Sequence, residues 1–385
     1  MLSLFKEFLA YKNFFALDHR THRRLVFYSE RDIYWQTLGP FAEAFLQSEP
    51  QTTCSYITSD PNDPILTKHH ERLFPFYFNY LLKAVFDRMD AECFVLTMPD
   101  LNTFHLKKSK HTREYIYVFH AFSSTHLQYN EQAFDAYDTV FCVGPHHEAE
   151  IRKREQMYRL PAKNLIPVGY PRIDAIFQKN QHYKKQFTQT TVLVAPTWSM
   201  ASLFENGIDE LLNALEKTDY RVIVRPHPEF LKRRSSLAKT LKERVTQTRN
   251  FIWEDCLLSE NNLYEADILI TDRSGIAFEY AFGTERPVLF IDTPLKEHNK
   301  NWRTLGIEPI ELQLRDKIGV SVPLERLLEV PDAIGNLLKN QANRRTTLRE
   351  LRERHVYNWG HSVESGVRVI RERLKKIVAY KKYRC

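Results

Sequence analysis

Short apolar runs recur along this chain, each closed by a polar or proline-bearing turn and followed by a stretch with helical spacing. In the first half they are 24–29 (RLVFYS), 54–58, 93–97 (CFVLT), 115–119 (YIYVF), 139–143 (TVFCV) and 165–168. In the second half they are 191–195 (TVLVA), 221–225 (RVIVR), 251–253, 267–271 (DILIT) and 287–291 (PVLFI). Helical spacing is read at 35–46, 74–86, 146–158, 207–215, 231–245, 257–265, 275–282, 331–341 and 347–376. Strands this short and this uniformly apolar, alternating with helices, belong in a parallel sheet covered on both faces. At 385 residues the chain exceeds one ordinary core. The expected fold is therefore α/β, with two Rossmann-like domains whose parallel sheets face a central cleft. The first spans 1–178, the second spans 190–346, and 347–385 forms a C-terminal helix that could cross back to the first.

Bulk properties narrow the function classes. Hydrophobic residues make up 43% and charged residues 27%, the balance of a globular chain rather than a disordered one. No apolar run reaches the ~18 residues of a membrane-crossing helix. Five cysteines at positions 54, 93, 142, 256 and 385 are scattered, with no C-x-x-C pair. That pattern points to a reducing cytoplasm and away from a disulfide framework or a zinc site. The formal net charge of +7 is spread along the chain, without interleaved aromatic and basic motifs. Nucleic acid is thereby disfavoured, while phosphate-bearing substrates or an anionic membrane surface stay open. Two segments suit a membrane surface as well as an ordinary packed helix. One is the N-terminus, where Leu2, Phe5, Phe8 and Leu9 share a stripe. The other is a basic cluster of Arg371, Arg373, Lys375, Lys376, Lys381, Lys382 and Arg384.

Three places carry chemistry. The strand 267–271 runs into Thr271, Asp272, Arg273, Ser274 and Gly275 and then a helix. Free N–H groups and the dipole at a helix start favour a phosphate. Ser274 adds a donor, Gly275 allows close approach, and Arg273 adds charge. Glu279, a turn further on, could reach a sugar hydroxyl. The alternative is a serine that only caps the helix and a solvated glutamate. At 225–228 (RPHP) two prolines hold a strand exit that would present Arg225 and His227. After the strand 115–119, His120 could be a general base with a pKa near neutrality, and Ser123, Ser124, Thr125 and His126 offer donors. The paired histidines at 69–70 and 146–147 occupy adjacent positions, which do not share a helix face, and are set aside.

These landmarks occur in one order: His120 after its strand, 169–174 (GYPRID) with Arg172, 195–198 (APTW) with Pro196, Thr197 and Trp198, then Arg225 and His227, then 271–274 (TDRS) with Glu279. Together they resemble the CDP-glycerol glycerophosphotransferase family, the teichoic-acid primases and polymerases and related surface-polysaccharide enzymes. The resemblance covers roughly residues 115–295. It implies a GT-B-like fold and a peripheral enzyme at the inner, cytoplasmic face of the cell membrane. The implied reaction moves glycerol phosphate from CDP-glycerol, or another nucleotide-activated donor, to a lipid-linked or saccharide acceptor. His120 would take the acceptor proton, His227 would contact the donor pyrophosphate, and Ser274 and Gly275 would hold phosphate. No tightly bound cofactor or protein-held metal is implied, although Mg²⁺ could travel with the donor, assisted by Asp272. The chain departs from the family pattern where Ala121 and Phe122 follow His120, and at Arg273 and Gly275. A nucleotide-sugar glycosyltransferase of the same fold and a non-catalytic scaffold of a polysaccharide locus are the competing readings.

Overall fold

The computed structural model describes residues 2–16, 19–254 and 261–382. Cys256, Cys385, Arg384 and the first residues of the helix expected at 257–265 lie outside them. So do the side chains of Leu2, Lys376, Lys381 and Lys382.

The chain forms two compact units. The first comprises residues 1–172, 301–305 and 355–385; the second comprises 173–300 and 306–354. The boundary expected at 178 falls inside the helix Pro171–His182.

The first unit holds seven strands: β1 (Leu25–Ser29), β2 (Cys54–Thr58), β3 (Leu73–Tyr77), β4 (Cys93–Leu96), β5 (Glu114–Val118), β6 (Thr139–Cys142) and β7 (Asn164–Pro167). They pair in parallel in the order β3-β2-β1-β4-β5-β6-β7. The second unit holds β8 (Thr191–Val194), β9 (Arg221–Val224), β10 (Phe251–Trp253), β11 (Ile268–Thr271), β12 (Val288–Asp292) and β13 (Gly319–Pro323). These are also all parallel, in the order β10-β9-β8-β11-β12-β13. Each unit is thus a Rossmann-like doubly wound sheet. The central strands are buried on both faces, which is why they read as unbroken apolar runs.

Three local expectations are corrected. Residues 74–86 are not one aromatic helix. Leu73–Tyr77 is the edge strand β3, and only Leu82–Arg88 is helical. Pro75 pairs opposite Tyr56 at the sheet edge, where a missing N–H is tolerated. The strand β13 went unseen because Gly319, Ser321 and Pro323 dilute its apolar signal. The helix expected at 347–376 is two helices, Gln341–His355 and Ser362–Lys382. Between them Asn358 (φ 42°) and Gly360 (φ 77°) turn the chain through the left-handed region. The second of these helices belongs to the first unit, where Val367, Ile370 and Leu374 pack with Phe41, Phe45 and Phe27.

The N-terminal helix Leu2–Ala16 is held on the first unit by contacts that include Phe14 and Glu7. Phe14 is buried against Phe76 and Phe78, and the buried Glu7 carboxylate accepts the N–H groups of Asn79 and Leu81 at 3.0 Å each. Leu4, Phe5, Phe8 and Leu9 are left exposed, Phe5 by 63%. Cys54, Cys93 and Cys142 are buried free thiols.

In the second unit the helix Ile276–Thr284 is fixed at its far end by Glu285, which is buried and left-handed (φ 57°). Its carboxylate meets Arg345 at 2.7 Å, Arg349 at 2.8 Å and Arg352 at 3.0 Å. Burial alone would raise this carboxyl's pKa. The guanidinium groups of Arg349, Arg345 and Arg352 outweigh burial and hold it at about 2. Replacing Glu285 by Gln leaves three arginines without their shared anion. The expected loss is about 3 kcal/mol, at the low end for a broken buried pair because Arg345 and Arg349 are half exposed. Urea unfolding reads this directly, and a change below about 1 kcal/mol would contradict the assignment.

Candidate functional site

Open parallel sheets bind ligands beyond the C-terminal strand ends, at the point where strand order reverses. In the second unit that point lies between β8 and β11. The loops leaving these two strands are tied together by one side chain. Asp272 is fully buried. Its Oδ1 accepts the N–H of Thr197 at 2.8 Å and of Arg273 at 2.6 Å, and its Oδ2 accepts the N–H of Leu203 at 2.9 Å. Thr271, also buried, donates its hydroxyl to the Ala195 carbonyl at 2.8 Å. A carboxylate so enclosed does not suit a Mg²⁺ ligand, so the role suggested for Asp272 is corrected: it organises loops. Among the described residues no group of three or more His, Cys, Asp or Glu is placed to hold a metal ion.

The loop that Asp272 holds presents the helix start. Gly275 is the residue before the helix Ile276–Thr284, and a Cβ built on it would meet nothing within 4 Å, so its backbone faces open space. Ser274 is half-buried, and the residue in the cap position is Gly275. Its hydroxyl and the N–H of Ile276 at the first helical position are donors available to an anion, whereas the N–H groups of Ala277 and Phe278 already donate to the Ser274 and Gly275 carbonyls. Glu279 is half-buried one turn further along.

Neighbouring exits add further groups. His227 caps the short helix Pro228–Arg233: its Nδ1 accepts the Glu229 N–H at 3.1 Å. The proton of the neutral ring therefore sits on Nε2, which makes that nitrogen a donor. The Trp198 ring lies 6.3 Å from the His227 ring, 5.0 Å from Arg233 Cζ and 4.9 Å from Lys296 Nζ. Pro196 and Thr197 are buried beneath it. Arg225, expected at the ligand, is instead buried in a two-point ion pair with Glu254, at 2.5 and 3.0 Å. Arg273 donates from Nε to the Thr293 carbonyl at 3.0 Å and keeps the rest of its fork half-exposed.

Sequence reasoning missed Arg315 and Lys296. Arg315 reaches from the helix Ile310–Ile318 to the Asp272 carbonyl at 2.7 Å and the Asp292 carboxylate at 2.9 Å. Burial and the Arg273 charge lower its pKa to about 10. Both residues lie downstream of the recognisable motif, where no local pattern marks them.

In the first unit the order reverses between β1 and β4. His120 leaves the adjacent strand β5. Its ring lies 4.5 Å from that of Tyr34, and its carbonyl accepts the buried Tyr170 hydroxyl at 2.8 Å. That bond explains part of the 169–174 run. Gly169 there has φ 98°, and a side chain on it would strike the Tyr357 carbonyl and Ser362. Arg172 donates to Gln36 at 2.5 Å. Burial pushes the His120 ring down to about 4, with a smaller opposing contribution from the Thr97 backbone, so the expected near-neutral value is corrected. The ring is neutral at neutral pH, and its buried Nδ1 has no hydrogen-bond partner. Glu30, at the β1 exit, is a group the sequence did not reveal. Burial raises its carboxyl to about 6, Asp100 adding to the rise and Arg31 opposing it.

The polar run after His120 builds the loop. Ser123, Ser124, Thr125 and His126 are all buried. Thr125 donates its N–H and its hydroxyl to Glu150, at 2.6 and 2.7 Å, and His126 Nδ1 lies 3.4 Å from the same oxygen. His147, set aside in the sequence, accepts the Val143 N–H at Nδ1 (3.2 Å) and donates from Nε2 to the Ser123 carbonyl (2.8 Å). It fixes the loop that carries His120.

A family profile described as CDP-Glycerol:Poly(glycerophosphate) glycerophosphotransferase matches residues 65–312. The chain belongs to that family. The match takes in His120, His227 and the whole of the 271–279 segment. The chain is similar to the teichoic acid glycerol-phosphate primase of Bacillus subtilis (strain 168), with 26% identity over 243 residues, covering 56% of this chain and 60% of the primase. It is also similar to the teichoic acid ribitol-phosphate polymerase TarL of Staphylococcus aureus (strain NCTC 8325 / PS 47), with 25% identity over 170 residues, covering 39% of this chain and 29% of the polymerase. The chain therefore spans less than two thirds of either curated relative. In fold it is similar to the wall teichoic acid polymerase TagF soaked with CDPG, with TM-score 0.63 at 15% identity, covering 98% of this chain and 96% of that one. The UDP-GlcNAc 2-epimerase of Methanocaldococcus jannaschii shares the fold at TM-score 0.54 and 12% identity, covering 94% of this chain and 100% of that one.

The buried histidines of the first unit give its stability a pH dependence. Burial lowers His120 and His147 to about 4, and His146 well below its ordinary value. Unfolded, these rings titrate near 6.5, so between pH 6.5 and 4 the unfolded state binds more protons. Stability is then lost as pH falls through that window. Glu30 acts oppositely between about 4.5 and 6, and Asp32, also raised by burial, acts in the same sense as Glu30 at lower pH. The denaturant midpoint is expected to drop steadily from pH 7 to 5, with a shallower slope in His147→Gln. A midpoint that is flat or rises over that range contradicts neutral burial of these rings.

Proposed function

We propose that this chain transfers glycerol phosphate, or a closely related phosphate-linked group, from a CDP-activated donor to an acceptor hydroxyl in the synthesis of a teichoic-acid-like surface polymer. The observation that carries the reading is the family match across 65–312, which spans every residue assigned a chemical role here. The donor is read onto the second unit. Its diphosphate suits the helix start at Ser274 and Gly275, with His227 Nε2 and Arg273 as further donors. The acceptor hydroxyl is read onto the first unit. Its oxygen attacks the phosphorus that bears the glycerol, the bond from that phosphorus to the CMP oxygen breaks, and the hydroxyl proton passes to His120. A neutral ring with an unpartnered nitrogen is the form a base requires. The charge that grows on departing CMP is stabilised by donors already in place, normally a large share of catalysis.

The test supplies CDP-glycerol and a saccharide or lipid-linked acceptor, then measures CMP release and the transferred group. Expected are CMP and a phosphodiester-linked glycerol. Transfer of a sugar without phosphate, or no turnover with any acceptor, would overturn the reading. His120→Ala is expected to lower turnover by about 10²–10⁴-fold while CDP-glycerol affinity is retained. Near-normal turnover in that variant removes His120 from the chemistry.

The polymer's site of synthesis suggests a peripheral contact with an anionic membrane. Among the described residues no helix is long and apolar enough to cross one. The exposed stripe of Leu4, Phe5, Phe8 and Leu9 beside Lys6 and Lys12 has the make-up of an in-plane interfacial helix. Replacing Phe5 and Phe8 by Glu is expected to weaken binding to phosphatidylglycerol vesicles by more than about tenfold, given the transfer energy of two aromatic side chains. Equal sedimentation with vesicles would contradict this contact.

A further inference from the structure

We propose that Lys296 is a ligand of the donor diphosphate, closing over it from the loop that follows β12. The proposal rests on the donor reading above and adds to it a residue outside the recognised motif. The cations around the Asp272 loop differ in what they already hold. Arg225 is paired at two points with Glu254. Arg315 is distributed over the Asp272 and Ile291 carbonyls and the Asp292 carboxylate. Arg273 is anchored through Nε to the Thr293 carbonyl. Lys296 is half-buried, yet among the described residues its ammonium has neither a hydrogen bond nor an ion pair. The face of Trp198 lies close to it, with the ring centroid 4.9 Å from Nζ. Trp198 follows Thr197, which Asp272 binds, and Lys296 lies three residues after Thr293, which Arg273 binds. Two independent tethers therefore bring Lys296 to the same strand exits as the open helix start at Gly275.

A half-buried ammonium is costly to leave unpaired, and an aromatic face offsets only part of its lost hydration. Asp272 contributes some attraction, and burial nevertheless prevails and lowers the Lys296 pKa. The Asp272 carboxylate is held by three backbone N–H groups and makes no hydrogen bond or ion pair with the ammonium. A fixed structural lysine would normally end on a carboxylate. This one ends on an aromatic platform, on the loop whose Trp198 follows the Thr197 that Asp272 binds. Its flexible stem lets the ammonium shift onto a non-bridging phosphate oxygen while the methylenes stay against Trp198.

Lys296→Met keeps the stem and removes the charge, and Lys296→Arg restores the charge. Calorimetric titration with CDP-glycerol and with CMP is expected to show about tenfold to hundredfold weaker binding in Lys296→Met. Recovery of most of the affinity is expected in Lys296→Arg. The ligand-free melting temperature of Lys296→Met should be unchanged or higher, because an unpaired half-buried charge is removed. Unchanged CDP-glycerol affinity in Lys296→Met, with the unaltered protein binding normally, overturns the role of Lys296 and leaves the donor reading standing. Weaker binding together with a melting temperature lowered by more than about 5 °C would make the residue a packing element and also overturn it. Failure of the unaltered protein to bind CDP-glycerol overturns the donor reading and this proposal with it.

Discussion

Three backbone N–H groups converge on the carboxylate of Asp272, and the arrangement of the second unit's candidate site follows from that convergence. The β8 and β11 exits are aligned by their strand pairing, and the Asp272 carboxylate ties the turns beyond them to each other and to the start of the helix Leu203–Asn206. A buried carboxylate with no countercharge would be strongly unfavourable. Supplied with three donors it becomes a rigid node, since charge-assisted bonds are the strong ones. It sets Trp198 on one side and Ser274 and Gly275 on the other, at the reversal point of the sheet. Arg315 reinforces the node from behind by donating to the Asp272 carbonyl. The motif's acid thus ties together the loops that flank the open helix start.

The first unit uses the same strategy with other residues. Glu150 gathers Thr125 and His126, and His147 ties the Ser123 carbonyl to the Val143 N–H, so the loop after His120 is fastened at both ends. The Tyr170 hydroxyl then fixes the His120 carbonyl itself. A side chain on a loop held this firmly keeps little orientational disorder. The consequence is a dense surround that keeps the ring neutral well below its ordinary titration range.

How much of this was legible in the sequence follows from which interactions are local. The central strands β1, β4, β5, β8, β9, β11 and β12 were readable because burial on both faces writes itself as an apolar run. Edge strands were harder: Pro75 sits comfortably in β3 although it argues against a strand, and β13 carries too few apolar residues to stand out. The helix start at Ser274 and Gly275 was legible because strand, turn and helix are contiguous. The partners that decide each side chain's task were not. Arg225 lies 29 positions from Glu254, and Thr197 lies 75 from Asp272. Lys296, Arg315 and Glu30 come into view only when parallel strands bring their exits together. The polar run 123–126 looked like a set of substrate donors because nothing local revealed Glu150 beneath it.

The central claim is that the open helix start beyond β11 receives the diphosphate of a nucleotide-activated donor. The most direct measurement is a crystal structure of the chain soaked with CDP-glycerol. The account predicts phosphate oxygens within hydrogen-bond distance of the Ser274 hydroxyl and the Ile276 N–H, with the Asp272 carboxylate still bound to its three N–H groups. Nucleotide density elsewhere in the second unit, or a loop 271–275 that must unfold from Asp272 to admit the ligand, would contradict it.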